Sequence, residues 1–265
     1  MFVNRNLVRG IKKHTGKKWM QRISELLLNL SLAGMNYGGN DFKTNGELNL
    51  LYQVKKKYSS DEPLTIFDVG ANIGNYSKVL HEIFGERATI HSFEPSNNTF
   101  EHLKKTISGM NNIIPNNFGL SDDLGVSTLY TDDNTSGLAS LYQRNLDHHH
   151  KVMNQTEKVS LSTIDKYCTD NQINKIHFMK LDVEGHELKV LEGACQMVRD
   201  KKIDCIQFEF GGCNIDSRVF FRDLYFSLKD NYHIYRILKD GLIEISNYNE
   251  RHEIFLYANY FAEKR

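Results

Sequence analysis

The chain has 265 residues, of which 40% are hydrophobic and 25% charged, so it can bury one large core and has the composition of an ordinary globular protein. No apolar stretch reaches the roughly 18 residues of a membrane span, and the amino terminus lacks the apolar core of a signal peptide, which argues against membrane-spanning and secreted proteins. The four cysteines show neither Cys-x-x-Cys spacing nor high density, which indicates reduced thiols, no structural zinc and a cytoplasmic location, with peripheral contact at the inner membrane left open.

Charge is distributed unevenly along the chain. Residues 1 to 24 contain seven Lys or Arg and no Asp or Glu, whereas the other 241 residues carry 26 basic and 33 acidic side chains, a net charge of −7. A basic leader can contact anionic lipid or nucleic acid, but these charges do not form a dense patch, so no nucleic-acid partner is predicted. A solvated terminus is the alternative to contact with a membrane or a partner protein.

Residues 1 to 45 are predicted to form a basic helical extension. From Lys17 to Leu32, apolar residues recur at helical spacing, namely Trp19, Ile23, Leu26, Leu27 and Leu30. We expect this Leu-rich face to pack against the body of the protein, with a dimer contact, and hence a homo-oligomer, or a membrane surface as alternatives. Residues 5 to 32 are also predicted to dock the protein on a partner subunit or an anionic membrane.

The main domain is predicted to span residues 46 to 265, and its first helix covers 47–58. Residues 64 to 74, LTIFDVGANIG, then predict a strand, a glycine loop and the start of a helix. Such a loop lets backbone N–H groups approach a ligand at the carboxyl end of a parallel strand. Its Gly-x-x-x-Gly spacing differs from the Gly-x-Gly-x-x-Gly of dinucleotide sites, so the loop predicts a nucleotide-like cofactor of unspecified kind. An ordinary strand-to-helix turn is the alternative.

Strands and helices alternate through the rest of the chain. Further strands are predicted at 88–93, 113–118, 176–181 and 205–210, with Ser96 capping the helix after the first of them and Pro115 indicating a position near a sheet edge. Two alternating runs between 125 and 165 predict an inserted β excursion with a mobile tip that carries His148, His149 and His150. A helix over 217–228, with Phe220, Phe221 and Leu224 inward, and antiparallel strands at 233–238, 242–245 and 253–259 complete a doubly wound α/β sheet.

Acidic or glycine clusters follow three of the predicted strands: DVGANIG, FEP and KLDVEGHE. In an open parallel sheet these strand ends line one crevice, where ligands bind. Glu94 lies 24 positions after Gly70, where a carboxylate can accept hydrogen bonds from both hydroxyls of a ribose, such as NAD and S-adenosylmethionine contain. A surface acid before a proline turn is the alternative for Glu94.

The segments DVGANIGNYS, SFEPS, NFGLSD, SGLASL and IHFMKLDVEGHELKVLEGA make the chain resemble the FkbM-type methyltransferases over about residues 45 to 260. The resemblance implies a class I, Rossmann-like fold that depends on S-adenosylmethionine, with a seven-stranded sheet and an antiparallel C-terminal strand. It also implies O-methylation of a hydroxyl, often on a sugar or polyketide. A carbohydrate or glycan precursor as acceptor, lipid-linked or nucleotide-linked, rests on the resemblance alone.

The same resemblance implies a set of cofactor-binding residues. It assigns Gly70, Ala71, Asn72 and Gly74 to the methionine part of the cofactor, Glu94 to the ribose, and Ser121 and Asp122 to the surroundings of the adenine. Glu47 belongs to an element that precedes the glycine loop in such proteins. Asp68 and Pro95, which adjoin these motifs, complete the predicted cofactor site.

Methyl transfer is an in-line displacement, so the protein must align the hydroxyl and help remove its proton. Asp182, Glu184 and His186 occupy alternate positions and share one face if the backbone stays extended. We predict that Asp182 positions the methionine end of the cofactor or binds substrate, and that His186, with an unperturbed pKa near 6.5, is the general base. Glu184 and Glu209 are further catalytic candidates, and capping of the following helix is the alternative for residues 184 to 187.

Asp182, Glu184 and Glu209 could also offer oxygen ligands to a divalent ion, but no spacing defines a metal geometry, so no metal site is predicted and a divalent ion is left open. The three consecutive histidines are expected to be solvent-exposed outside the site. An NAD-dependent oxidoreductase is a second interpretation, disfavoured by the glycine spacing and by FEP. A non-catalytic scaffold that retains the fold is a third.

Overall fold

The computed structural model describes residues 15–39, 41–59, 61–132 and 137–265, so the start of the basic leader and Ser136 of the SGLASL motif lie outside the described residues. The strands are β1 Leu64–Val69, β2 Ala88–Phe93, β3 Ile113–Asn116, β4 Gly119–Leu120, β5 Gly125–Thr131, β6 Gln155–Ser162, β7 Phe178–Leu181, β8 Cys205–Phe210, β9 Tyr232–Leu238, β10 Gly241–Glu244 and β11 Ala258–Lys264. The α-helices are α1 Lys18–Gly34, α2 Glu47–Lys56, α3 Asn75–Phe84, α4 Asn97–Thr106, α5 Ile164–Asp170, α6 Glu187–Glu192, α7 Cys195–Arg199, α8 Cys213–Ser217 and α9 Phe221–Leu228.

One large sheet carries eight strands in the order β10-β9-β11-β8-β7-β1-β2-β3. The five strands from β3 to β8 in this order are parallel, whereas β11 pairs antiparallel with both β8 and β9. The doubly wound, Rossmann-like α/β fold and its antiparallel C-terminal strand are therefore confirmed. The sheet has eight strands rather than the expected seven, because β10 folds back on β9 as an edge hairpin.

Apolar side chains alternate along the central strands and so build a core on each face of the sheet. Phe67 and Leu181 belong to the core that α5, α6, α7 and α9 cover, whereas Ile66 and Phe178 belong to the core under α2, α3 and α4. All four side chains are at most 1% exposed. This double burial explains why the strands read as continuous apolar runs in the sequence.

Several local predictions are confirmed and others are wrong. Ser96 caps α4 by accepting a hydrogen bond from the Thr99 N–H, and Pro115 lies in the edge strand β3. The helix expected at 217–228 is instead two helices, α8 and α9, and Phe220 is exposed rather than inward. The last strand begins at residue 258, because Glu253 accepts hydrogen bonds from the first N–H groups of α9 and holds its own segment out of the sheet.

The β excursion forms a small sheet of its own, in the order β4-β6-β5. Strands β5 and β6 are antiparallel, and the segment between them bridges back to β5 at Ser140. His148 and His149 lie in a short 3-10 helix of this segment, and all three consecutive histidines are exposed, as expected. The excursion covers the carboxyl end of the large sheet, which brings its residues to the site described below.

Helix α1 does not pack its Leu-rich face against the body, so this prediction is wrong. None of its 17 described residues is buried, and Ile23, Leu26, Leu27 and Leu30 are 46 to 62% exposed. After the helix the chain is anchored to the body, where the Gly38 N–H donates to the Tyr257 carbonyl at 2.8 Å. In the part of the chain that the structure describes, no helix is both long and apolar enough to cross a membrane.

Candidate functional site

The glycine loop after β1 packs tightly against the neighbouring strand ends. The N–H groups of Gly70 and Ala71 both donate to the Phe93 carbonyl, at 3.0 and 2.9 Å. Gly70 has φ +82°, and a Cβ built on it would lie 1.8 Å from the carbonyl oxygen of Asp182. Glycine is thus required here by both conformation and space, because the loops after β1 and β7 touch through backbone atoms.

The Glu94 carboxylate is held by backbone donors from two elements. Its Oε2 accepts from the Asn72 N–H at 3.0 Å and its Oε1 from the Ser96 N–H at 2.9 Å. Burial raises the pKa of Glu94 to about 7, against the opposing effect of the two N–H donors. Asn72 has φ +48°, and its buried Oδ1 has no hydrogen-bond partner among the described residues. An unsatisfied buried oxygen beside an oriented carboxylate indicates a polar ligand.

A first cavity, which we call the Glu94 cavity, encloses about 730 Å³ of space that is partly open to solvent. Its polar side includes Glu94, Asn72 and Asp182. Apolar residues from the strand ends and from the excursion form the remaining wall, among them Phe93, Pro95, Leu120, Leu129 and Leu161. A flat, mostly apolar ring with a few polar atoms fits such a chamber.

A second cavity, the Lys180 cleft, is larger and more open, at about 1460 Å³. Its wall includes Glu47, Tyr76, Lys180 and Tyr257, together with residues of the glycine loop. Gly70, Asn72 and Asp182 line both cavities, so the two spaces meet at these three residues. The arrangement can hold two ligands whose reacting ends face each other across the loop.

Asp182 and Lys180 form an ion pair at this meeting point, with 2.6 Å between Oδ2 and Nζ. The Lys180 ammonium also lies 4.5 Å from the centre of the Tyr76 ring. Burial alone would raise the pKa of Asp182, but Lys180 outweighs burial and lowers it. Burial, and next the negative charge of Asp182, raise the pKa of the Glu209 carboxyl.

Glu184 is bound to a side chain from the excursion. Its Oε2 lies 2.6 Å from a guanidinium nitrogen of Arg144, and both side chains are largely buried. Burial and the neighbouring Asp182 charge raise the pKa of Glu184 to about 8, although Arg144 opposes the change. The Ser140 hydroxyl donates to the Glu184 backbone carbonyl at 2.8 Å. The excursion is therefore locked onto the loop after β7.

His186 is enclosed by hydrogen bonds on both ring nitrogens. Nε2 lies 2.9 Å from the Ser121 hydroxyl and Nδ1 lies 3.0 Å from the Tyr142 hydroxyl. Burial lowers the pKa of His186 to about 4, so the imidazole is neutral at pH 7 and, in either tautomer, its acceptor nitrogen is occupied. The backbone turns through φ +51° at Glu184 and +99° at Gly185, so the expected extended face shared by residues 182, 184 and 186 does not form.

The predicted site residues divide into three groups by position. The Glu94 cavity and the Lys180 cleft together are lined by Glu47, Gly70, Ala71, Asn72, Glu94, Pro95, Asp182, Glu184 and His186. Asp68 and Gly74 support the loop from below, where Asp68 accepts from Ser77 and Gly74 packs on Leu103. Neither cavity is lined by Ser121, Asp122 or Glu209. Ser121 supports His186 instead, and Asp122 pairs with Lys189 at the surface.

Sequence reasoning missed three of the residues that shape the site. Lys180 carried a usable signal, because a lone lysine inside a buried strand needs a charged partner. Arg144 and Tyr142 carried none, since they lie 40 and 44 positions from the residues they contact. Over the described residues, no group of three or more His, Cys, Asp or Glu side chains is arranged to hold a metal ion.

The parallel sheet with the antiparallel strand β11 inserted between β8 and β9, and with a buried acid after β2, defines the class I methyltransferase fold. The Methyltransferase FkbM domain matches residues 68–240, more than half of the chain, and the chain belongs to that family.

Two curated relatives are similar to parts of the chain. Hexuronic acid methyltransferase AglP of Haloferax volcanii is 26% identical over 169 residues, which cover 63% of this chain and 64% of that protein. Methyltransferase 1 of Beauveria bassiana is 27% identical over 150 residues, 48% of this chain and 57% of that protein. The matches thus span less than two thirds of either relative. Among solved structures, Aeropyrum pernix fibrillarin in complex with S-adenosyl-L-methionine shares 14% identity and a TM-score of 0.44, covering 81% of this chain and 73% of that one.

Proposed function

We propose that this chain is a cytoplasmic O-methyltransferase that uses S-adenosylmethionine to methylate a hydroxyl of a carbohydrate or glycan precursor. The observation that carries the proposal is the meeting of the Glu94 cavity and the Lys180 cleft at Gly70, Asn72 and Asp182. Family membership supports methyl transfer. The carbohydrate acceptor is supported by the relative named as a hexuronic acid methyltransferase, at 26% identity.

The residues of the Glu94 cavity fit S-adenosylmethionine. A buried carboxylate with free lone pairs suits two ribose hydroxyls, and the unsatisfied Asn72 Oδ1 suits an ammonium or hydroxyl donor. Leu120, Leu129 and Leu161 form an apolar wall for an adenine ring. When bound, the cofactor supplies an electrophilic methyl group. Glu94 and the glycine loop would hold it.

The Lys180 cleft would then bind the acceptor. Asp182 would orient the acceptor hydroxyl and take its proton, which becomes strongly acidic during methyl transfer, so that a carboxylate of lowered pKa suffices as base. Lys180 keeps Asp182 ionised and fixed in place. The neutral His186, held by Ser121 and Tyr142, positions the loop that carries Asp182 rather than taking the proton itself.

The first test separates cofactor classes by calorimetric titration with S-adenosylhomocysteine and with NAD. We expect binding of S-adenosylhomocysteine only. Binding of NAD alone would identify an oxidoreductase and refute the proposal.

The second test asks whether the protein catalyses methyl transfer in its host cell. Mass spectrometry compares glycans from cells that express the wild type, Asp182→Asn or the control Lys166→Met, which changes only a surface ion pair on α5. We expect a methyl increment of about 14 Da to be lost with Asp182→Asn and kept with the control. Unchanged glycan masses together with an intact cellular phenotype of the Asp182 variant would favour a non-catalytic scaffold.

A further inference from the structure

Among the described residues, helix α1 presents an exposed apolar surface. The α1 apolar face consists of Trp19, Ile23, Leu26, Leu27 and Leu30, which lie on one side of the helix at spacings of three and four residues. Each of these side chains is about half exposed or more. Contiguous exposed apolar surface of this kind marks an interaction site on a protein or a membrane.

The helix also lacks the features that stabilise an isolated helix in water. Lys17 at its amino end makes no capping hydrogen bond through its side chain, the first turn has no acidic residue and the last turn no basic one. A helix of 17 residues, none of them buried, is only marginally stable in water. We therefore expect helix α1 to be stabilised by packing its apolar face against the surface of a binding partner.

The charge of the helix favours one binding partner for the α1 apolar face over another. Lys17 precedes the helix, Lys18 and Arg22 lie in its first two turns, and Glu25 is the sole acidic residue of the helix. The first 24 residues carry seven basic and no acidic side chains, whereas the rest of the chain has an excess of acidic ones. A second copy of the chain would bring two basic clusters together, which is unfavourable. An anionic lipid surface attracts them, and an amphipathic helix that is not both long and apolar enough to cross a bilayer can lie in its plane.

We propose that α1 docks the protein on an anionic membrane, with the α1 apolar face inserted between the lipids. The helix ends beside the Lys180 cleft: the Asn36 side chain donates to the Asn45 carbonyl at 2.7 Å, and the Gly38 N–H donates to the carbonyl of Tyr257. Tyr257, with Phe42 and Lys43, lines that cleft. Docking through α1 would place the Lys180 cleft next to the lipid surface. If that cleft binds the acceptor, as the proposed function on which this step rests requires, the acceptor is a membrane-borne saccharide.

The sole tryptophan of the chain, Trp19, lies in the α1 apolar face and reports on docking directly. The full-length protein is mixed with vesicles of phosphatidylcholine alone or with phosphatidylglycerol. We expect partitioning to rise at least about tenfold on the anionic vesicles and to weaken with added salt. The Trp19 emission should shift to shorter wavelength and be quenched by brominated lipid. No shift, or equal binding to both kinds of vesicle, overturns the proposal.

Matched variants test the apolar face itself. Leu26→Gln with Leu30→Gln should lower vesicle binding about tenfold, because two apolar side chains that would be buried in the lipid are replaced by polar ones. Ser24→Gln with Asn29→Gln changes the polar face by the same number of residues and should leave binding unchanged. Equal effects of the two pairs would overturn the proposal. So would a dimer, detected by light scattering, that only the leucine variant dissociates.

Titration with S-adenosylhomocysteine separates this inference from the proposed function. The leucine variant should bind the ligand as the wild type does, since α1 lines neither cavity. Absence of vesicle binding with intact ligand binding refutes the membrane proposal alone. Vesicle binding without any ligand binding by the wild type refutes the proposed cofactor and leaves the docking result standing.

Discussion

Replacement of Glu94 by glutamine tests the cofactor site most directly. The carboxylate of Glu94 accepts N–H groups from Asn72 and Ser96 with different oxygens and still faces the Glu94 cavity. Glutamine has the same shape but offers one oxygen and one NH₂ group. One of the two backbone N–H groups would then face the NH₂ group of the glutamine, which is also a donor. The negative charge that the carboxylate presents to the Glu94 cavity would be lost.

The magnitude of the effect on stability follows from burial. Burial raises the pKa of Glu94 from 4.5 to about 7, a difference worth about 3 kcal/mol. The folded state favours the protonated acid, so the free energy of unfolding falls as pH rises from about 4.5 to 7 and changes no further through this group above that. At pH 8 Glu94→Gln removes this penalty but introduces a donor–donor contact of about 1–3 kcal/mol, so its free energy of unfolding should stay within about 2 kcal/mol of the wild type.

Ligand binding should respond far more strongly than stability. Hydrogen bonds to a charged group are worth about 1.5–3 kcal/mol each, so Glu94→Gln should raise the Kd for S-adenosylhomocysteine about a hundredfold. Because the ionised carboxylate is the acceptor, the wild-type Kd should fall as pH rises and level off above about 7. Calorimetric titration from about pH 5.5 to 8.5 measures both effects. A wild-type profile without pH dependence, or a change of twofold or less in the variant, would refute the assignment of Glu94 to the ribose.

Three further predictions concern the loops around the site. Gly70→Ala should abolish binding of S-adenosylhomocysteine in the same titration, because its Cβ would lie 1.8 Å from a backbone oxygen, whereas Gly125→Ala, with nothing within 4 Å, should be neutral. Arg144→Ala should lower the free energy of unfolding in urea by about 1–3 kcal/mol, since it leaves the buried Glu184 carboxyl without its hydrogen-bond partner, and Arg144→Lys should recover part of the loss. His186→Asn should keep the shape of the pH–rate profile above about pH 6, because the pKa of His186 is about 4; disappearance of an ionisation near neutral pH would show that His186 is the base.

The difference between prediction and structure is clearest around Asp182. Its place at a strand end could be predicted, because a buried strand and the acid that follows it form a local pattern. The shared face of residues 182, 184 and 186 required an extended backbone, which does not form, since Glu184 and Gly185 turn the chain with positive φ. The pKa shifts of the acids in this loop depend on burial and on Lys180, Glu209 and Arg144. Lys180 lies in the buried strand β7, Glu209 in the neighbouring strand β8 and Arg144 in the excursion.

The sequence by itself determined the doubly wound fold, the glycine loop and the acid after β2, because apolar periodicity and glycine spacing are local signals that survive in a single chain. Only the tertiary structure decided that Gly70, Asn72 and Asp182 join two cavities, that His186 is neutral and enclosed, and that no residue of α1 is buried. These properties depend on burial and on contacts between residues far apart in sequence, and burial is set by what packs above a residue rather than by its neighbours in the chain.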